Sequence, residues 1–324
     1  MLQSMNAFLS KWMPLLTPVS VVIGVLLASF LHHLSFLVPW IFAAMTFTGS
    51  LNSNFKSMKH TVTHPLSLLL TLGALHIITP IWAFAIGHLF FHNDPYTITG
   101  LILATVIPTG ITSVIWVSIY KGNVPLTLAI ILADTLLSPF LVPLSMSIFV
   151  GESVQLDIWG MMRGLLGMIV LPSIAGMAVN QFYSKEKALT WNKTLAPFSK
   201  LGLAAVVAIN SSVVAPYLRN IDMKFIYIAL TMFFVALSGY FFSWMLGVLT
   251  KRHKDETIAM IYTGGMRNIS AGAVIAVSFF PPQTAVPVVI GMLFQQILAA
   301  TYGQAIRTVY QKPSLIKVAG KKIS

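Results

Sequence analysis

Tyr262-Thr263-Gly264-Gly265-Met266-Arg267-Asn268-Ile269-Ser270 sets a diglycine, an arginine and an asparagine in the middle of an apolar run that starts near Ile258 and reaches Phe280. At a helical rise of about 1.5 Å per residue, a run of that length crosses a bilayer and puts Arg267 near the midplane. A cation there costs roughly 2.5 to 3.5 kcal/mol on insertion scales, so it needs a water-filled site, a partner or a ligand. The plainer alternative is an arginine packed against a purely structural partner. Glycine permits left-handed or extended backbone, so the span is predicted to unwind beside the charge.

Outward from this stretch the composition is of one kind. Of 324 residues, 56% are hydrophobic and 9% charged, with mean hydropathy +0.83. Soluble and disordered classes are excluded, and a polytopic membrane protein is predicted. The first apolar run, Pro14 to Leu31, follows Lys11 in the manner of a signal peptide. It is long for such a segment and another span follows directly, so it reads as a helix. The absence of cysteine excludes disulfides and thiolate metal sites.

Hydropathy divides the chain into about ten helices, at 14–31, 36–51, 67–91, 97–120, 124–149, 158–182, 196–217, 224–249, 256–279 and 284–310. With a cytoplasmic N-terminus, the inside segments collect Lys11, Lys56, Lys59, Lys121, the basic stretch Lys185 to Lys200, Lys251, Arg252, Lys254, Arg307, Lys312, Lys317, Lys321 and Lys322. The outside loops hold only Arg219 and Lys224. This asymmetry predicts both termini on the cytoplasmic side of the membrane. The formal charge of +12 is thus a topology signal, with some attraction to anionic lipid, and nothing points to nucleic acid.

Span four is interrupted at Ile107-Pro108-Thr109-Gly110-Ile111-Thr112-Ser113, much as span nine is at Thr263 to Asn268. Proline removes a backbone donor and clashes with the preceding turn, so both spans are predicted to break at mid-length. Gly and Pro often serve packing alone in membrane helices, and a single interrupted span would be weak evidence. Spans four and nine, however, hold the same place in two five-helix halves of opposite topology. That is the pattern of inverted repeats with a midplane site between discontinuous helices. The expected fold is therefore an all-α membrane protein of ten transmembrane helices whose two broken helices cross at the midplane.

Few side chains could carry chemistry there. Asp134 is the one deep acid; Asp94, Glu152, Asp157, Glu186, Asp222, Asp255 and Glu256 fall in loops or at span ends. It reads as a proton carrier or as a counter-ion to Arg267, against the bland reading of a protonated acid bonded to a neighbouring helix. His76 lies inside span three beside Pro80, where imidazole either relays protons or hydrogen-bonds across helices. His32, His33, His60, His64, His92 and His253 show no ligand spacing. The second half-helices begin near Thr112-Ser113 and Asn268-Ile269-Ser270, and their unpaired N–H groups would face the crossing and suit a carboxylate. Arg267 beside them can grip a carboxylate with two parallel hydrogen bonds. No metalloprotease, nucleophile-elbow or phosphate-loop motif is present, so no enzyme is expected.

Pro108-Thr109-Gly110, Lys121-Gly122-Asn123-Val124, Leu136-Leu137-Ser138-Pro139, Ala204-Ala205-Val206-Val207-Ala208-Ile209-Asn210 and Gly265-Met266-Arg267-Asn268 together resemble the bile acid:sodium symporter family over nearly the whole chain. The resemblance implies a core domain of spans three to five and eight to ten, about 67–149 and 224–310. It also implies a panel domain of spans one, two, six and seven, about 14–51 and 158–217, that moves against the core. Of the family's first sodium site, Ser113 matches a serine ligand and Thr127 keeps a hydroxyl. Val114, Ile131 and Thr263 stand where an asparagine, a threonine and a shared glutamate are expected. The second site loses glutamines at Leu75 and Arg267. The carbonyls of Gly264 and Met266 remain as oxygen donors, but valine and isoleucine side chains offer a hard cation nothing.

The resulting expectation is a secondary transporter of organic anions, small carboxylates or amphipathic bile-acid-like anions, working by alternating access. Arg267, Asn268, Thr112, Ser113 and Ser270 are expected at the substrate. Two-sodium coupling is doubtful, which leaves a proton on Asp134 or His76, a remnant sodium site at Ser113, Thr127, Gly264 and Met266, or uniport. The contrasting expectation is an anion channel or a ligand-sensing membrane protein with a fixed site. Oligomeric state is not legible.

Overall fold

The computed structural model describes residues 2–51, 65–151, 154, 156–183, 185–219 and 221–310. Their regular structure is helical: α1 (Leu2–Lys11), α2 (Met13–Leu26), α3 (Ala28–Ser50), α4 (Pro65–Phe91), α5 (Pro95–Val106), α6 (Ser113–Ile119), α7 (Val124–Val150), α8 (Ile158–Tyr183), α9 (Lys185–Val213), α10 (Ala215–Leu218), α11 (Met223–Leu249), α12 (Lys254–Gly265), α13 (Ile269–Phe279) and α14 (Ala285–Tyr310). Among the described residues, seven helices are long and apolar enough to cross a membrane: α3, α4, α7, α8, α9, α11 and α14. The acids at the span ends have a local task. Asp94, Asp157 and Asp222 accept N–H bonds in the first turns of α5, α8 and α11, as Asn123 does for α7. Each satisfies one of the orphan donors with which a helix begins.

Both interrupted spans unwind, but the second does so only at Met266–Asn268: Thr263, Gly264 and Gly265, expected to lie in the break, stay helical, and no described glycine has positive φ. Between α5 and α6 the chain leaves helical geometry at Ile107, and between α12 and α13 it does so at Met266. The two unwound segments then pair with each other. Thr109 and Arg267 form an antiparallel bridge, in which Gly110 N–H donates to Met266 O at 3.0 Å and Asn268 N–H donates to Pro108 O at 2.8 Å. Unwound backbone at membrane depth is tolerated only inside protein or along a cavity. Here each break supplies the partners that the other has lost.

Around the crossing, α4 packs along α5, and α11 along α12 and α14, while α14 also lies against α5 and α13. α9 runs along α2 and α3 and touches α13. Two predicted boundaries need correction, and one helix was not predicted. The first span ends at Leu26, and residues 28–31 belong to α3, which continues through a 3-10 turn at His32–Leu37. Span seven begins at Lys185 rather than 196, because its first turns are helical but too polar for hydropathy to register. α1, which precedes the first span, has no counterpart in the hydropathy reading. Lys56, Lys59, His60, His64, Glu152, Lys312, Lys317, Lys321 and Lys322 lie outside the described residues.

The loop before α5 ties its end to α11. Asp94 pairs with Lys224 at 2.9 Å and accepts from Thr97 Oγ1 at 2.5 Å. Burial alone would raise the Asp94 carboxyl, but the bonds from Lys224 and Thr97 outweigh it and hold the group below its ordinary value. A depressed carboxyl stabilises the fold above its unfolded value of about 3.9, and the contribution disappears as pH falls through the folded value. Asp94→Asn should therefore lower the Tm at pH 7, with the gap to wild type narrowing as pH drops below about 4. Scanning fluorimetry from pH 7 to 3 checks this, and a constant gap contradicts it.

Candidate functional site at the helix crossing

The site begins with one irregular turn. In α4, residues Ala74–Ile78 form a π turn, and Thr79 N–H donates to Ala74 O rather than to Leu75 O. The next residue, Pro80, has no N–H to give. Leu75 O is thus stripped of its helical partner, and the guanidinium of Arg267 donates to it through Nη2 at 3.4 Å. π turns are often found at functional sites, and this one serves to aim a carbonyl at a buried cation.

Arg267 is only 5% exposed, and its Nη1 has no hydrogen-bond partner among the described residues. It lines a cavity of about 20 Å³ together with Thr79, Thr105, Tyr240 and Gln295, room for about one water. Gln295 Oε1 is likewise buried without a partner among the described residues. The Tyr240 ring lies against Gly265, where any side chain would collide with it.

Asp134 is fully buried and spends its two oxygens on different elements. Oδ1 pairs with His76 Nε2 at 2.6 Å, and Oδ2 accepts the Thr109 N–H of the crossing at 2.6 Å. No direct ion pair joins Asp134 to Arg267, although the carboxylate attracts the guanidinium electrostatically. Thr109 completes the knot, since its Oγ1 lies 2.6 Å from Thr263 O and 3.0 Å from Met266 O. His76, Asp134, Thr109 and Arg267 are therefore joined through α4, α7 and the two breaks.

The remaining predicted residues divide by burial. Thr112, Asn268 and Ser270 are half-buried, whereas Ser113 is fully buried with no partner for Oγ among the described residues. Asn268 Oδ1 caps α13 by accepting from Ala271 N–H at 3.3 Å. Thr127 Oγ1 donates to Asn123 O at 2.8 Å. Met266 O already accepts from Gly110 N–H, and Gly264 packs against Ser243. Three polar residues escaped the sequence reading as site candidates: half-buried Gln295 on the Arg267 cavity, and fully buried Asn210 and Ser211 of α9; Gln295 Oε1, both Asn210 amide atoms and Ser211 Oγ lack partners among the described residues. Short polar interruptions of an apolar run, Gln295-Gln296 and Asn210-Ser211-Ser212, were the available signal. Glu256, assigned to a span end, is buried in the first turn of α12 and accepts from Ser67 at 2.5 Å.

Helices interrupted where they cross, with a buried charge set between them, define the class as a membrane transporter. Residues 38–221 match the family described as the Sodium Bile acid symporter family, and the chain belongs to it. It is 58% identical to the protein YbaS of Bacillus subtilis over 305 residues, covering 94% of this chain and 100% of that protein. The sodium-dependent transporter YocS of the same organism is 25% identical over 303 residues, covering 94% and 92%. The probable sodium/metabolite cotransporter BASS1 of Arabidopsis thaliana chloroplasts is 26% identical over 229 residues, covering 69% and 55%.

The bridge leaves no room at Gly110, where a Cβ would sit 2.9 Å from Arg267 O. Gly110→Ala should force the two breaks apart and destabilise the protein by about 1 to 3 kcal/mol. The Tm of the purified variant checks this; an unchanged Tm would show that the bridge is not a constraint.

Proposed function

We propose that this protein is an organic-anion carrier working by alternating access, with a permanent cation in place of the family's second sodium. The observation that carries the reading is the hydrogen bond from Arg267 to Leu75 O. By the resemblance, these are the two positions at which glutamines would hold that sodium. The π turn and Pro80 leave the Leu75 carbonyl to the guanidinium, so one fixed charge and its acceptor fill the position. The relatives YocS and BASS1 carry sodium in their names. Here the lost ligands at Val114, Ile131 and Thr263 and the spent carbonyl of Met266 argue against coupling of that kind.

In this reading the chain has ten spans in two inverted five-helix halves, with both termini cytoplasmic. The panel (14–51 and 158–217) rocks against the core (67–149 and 224–310). The anion, a small carboxylate or an amphipathic bile-acid-like molecule, sits beside the crossing. Thr112, Asn268 and Ser270 face it as half-buried polar groups, while Arg267 and Ser113 act from beneath. The α13 N-terminus adds partial positive charge. A buried guanidinium in low dielectric acts strongly at this range.

Counterflow in proteoliposomes tests the proposal with labelled taurocholate and pyruvate as probes. A carrier preloaded with unlabelled probe takes up label transiently above equilibrium, and Arg267→Gln should reduce that uptake by at least about tenfold, equivalent to roughly 1.4 kcal/mol. Uptake with no trans-stimulation would mark a channel instead, and undiminished counterflow in the variant would remove Arg267 from the site.

A further inference from the structure

We infer that the His76–Asp134 pair is the binding site for a coupling proton, taken up with the anion; the inference rests on the carrier reading above. His76 Nε2 lies 2.6 Å from Asp134 Oδ1, which fixes the imidazole N–H on Nε2 when the acid is ionised. Nδ1 is then the free base, and it is buried with no protein partner among the described residues. A proton can therefore add at Nδ1 without breaking either bond of Asp134. Imidazole is the side chain whose ordinary charge change falls between pH 5 and 8.

The surroundings make that proton matter to an anion. Among the described residues the charged and titratable groups presented to the pair are few. Arg267 comes from the crossing and reaches Leu75 of the same π turn. Tyr240 of α11 is coupled electrostatically to Arg267. Tyr262 of α12 turns away to donate to Ala299 O, and Glu256 is engaged by Ser67 toward the other end of α12. The middle of α5 presents none. With the pair unprotonated, Arg267 and Asp134 cancel. One proton on Nδ1 leaves the core with a single net positive charge, which an entering anion neutralises. By linkage, the factor by which the proton raises anion affinity equals the factor by which the anion raises proton affinity.

The geometry also connects the proton to the crossing. Asp134 Oδ2 holds the Thr109 N–H, and Thr109 is bridged to Arg267. A change of charge on the pair is felt by the backbone of the crossing itself. Carriage is balanced as one proton bound at Nδ1 on one side and released on the other with each monovalent anion, an electroneutral step.

The test uses wild-type protein in sodium-free proteoliposomes, with taurocholate and pyruvate as probes, since both stay ionised between pH 5 and 8. An inside-alkaline gradient should drive accumulation of a transported probe approaching roughly tenfold per unit of pH gradient, with matching acidification of an internal dye. His76→Gln and Asp134→Asn should each sharply lower the ratio of pH-driven uptake to exchange. Exchange in the wild type with no pH-driven accumulation overturns the proton site and leaves the carrier reading standing. Equal pH drive in both variants overturns it too. Neither exchange nor accumulation for either probe overturns the carrier reading, and the inference with it.

Discussion

Two stretches of unwound backbone, each of which would be intolerable alone in a membrane, are held by pairing with one another. The Thr109–Arg267 bridge converts the exposed N–H and C=O groups of both breaks into mutual partners. Everything distinctive about the site depends on that exchange. It forces a glycine at position 110 and brings Thr109 N–H to Asp134. It also fixes the backbone that carries Arg267 against α4.

A second irregularity answers the first. Pro80 and the π turn at Ala74–Ile78 strip Leu75 of its helical hydrogen bond, and Arg267 takes the vacated carbonyl. Sodium held by oxygen ligands would come and go during a transport cycle. A guanidinium bonded to the same turn stays. In the proposed reading such a substitution changes what drives transport more than it changes the fold, because the crossing is built from backbone.

Much of this is legible in the sequence. Pro108 and Gly110 mark the first break because their backbone chemistry is local, as is the hydropathy of the long spans; Gly264 and Gly265 only flank the second break, and stay helical while packing against Ser243 and Tyr240. The partners were not legible. Nothing in the sequence decides that Asp134 meets His76 rather than Arg267, since that follows from how α4 and α7 pack against the crossing. The π turn was equally hidden: Pro80 announces an irregularity but not which carbonyl it frees. The polar start of α9 was missed because helicity and hydropathy part company outside the hydrocarbon.

Family membership and the residues at the crossing pull in different directions over sodium, and the fixed charge of Arg267 is the reason. Binding of any ion to the native state alone raises stability with concentration. The most direct measurement is the Tm of the purified wild-type protein in sodium chloride against potassium chloride at equal ionic strength, from about 1 to 300 mM. A protein whose cation is Arg267 should show the same Tm in both salts throughout. A Tm that climbs steadily with sodium but not with potassium would mean that a sodium site survives beside the guanidinium.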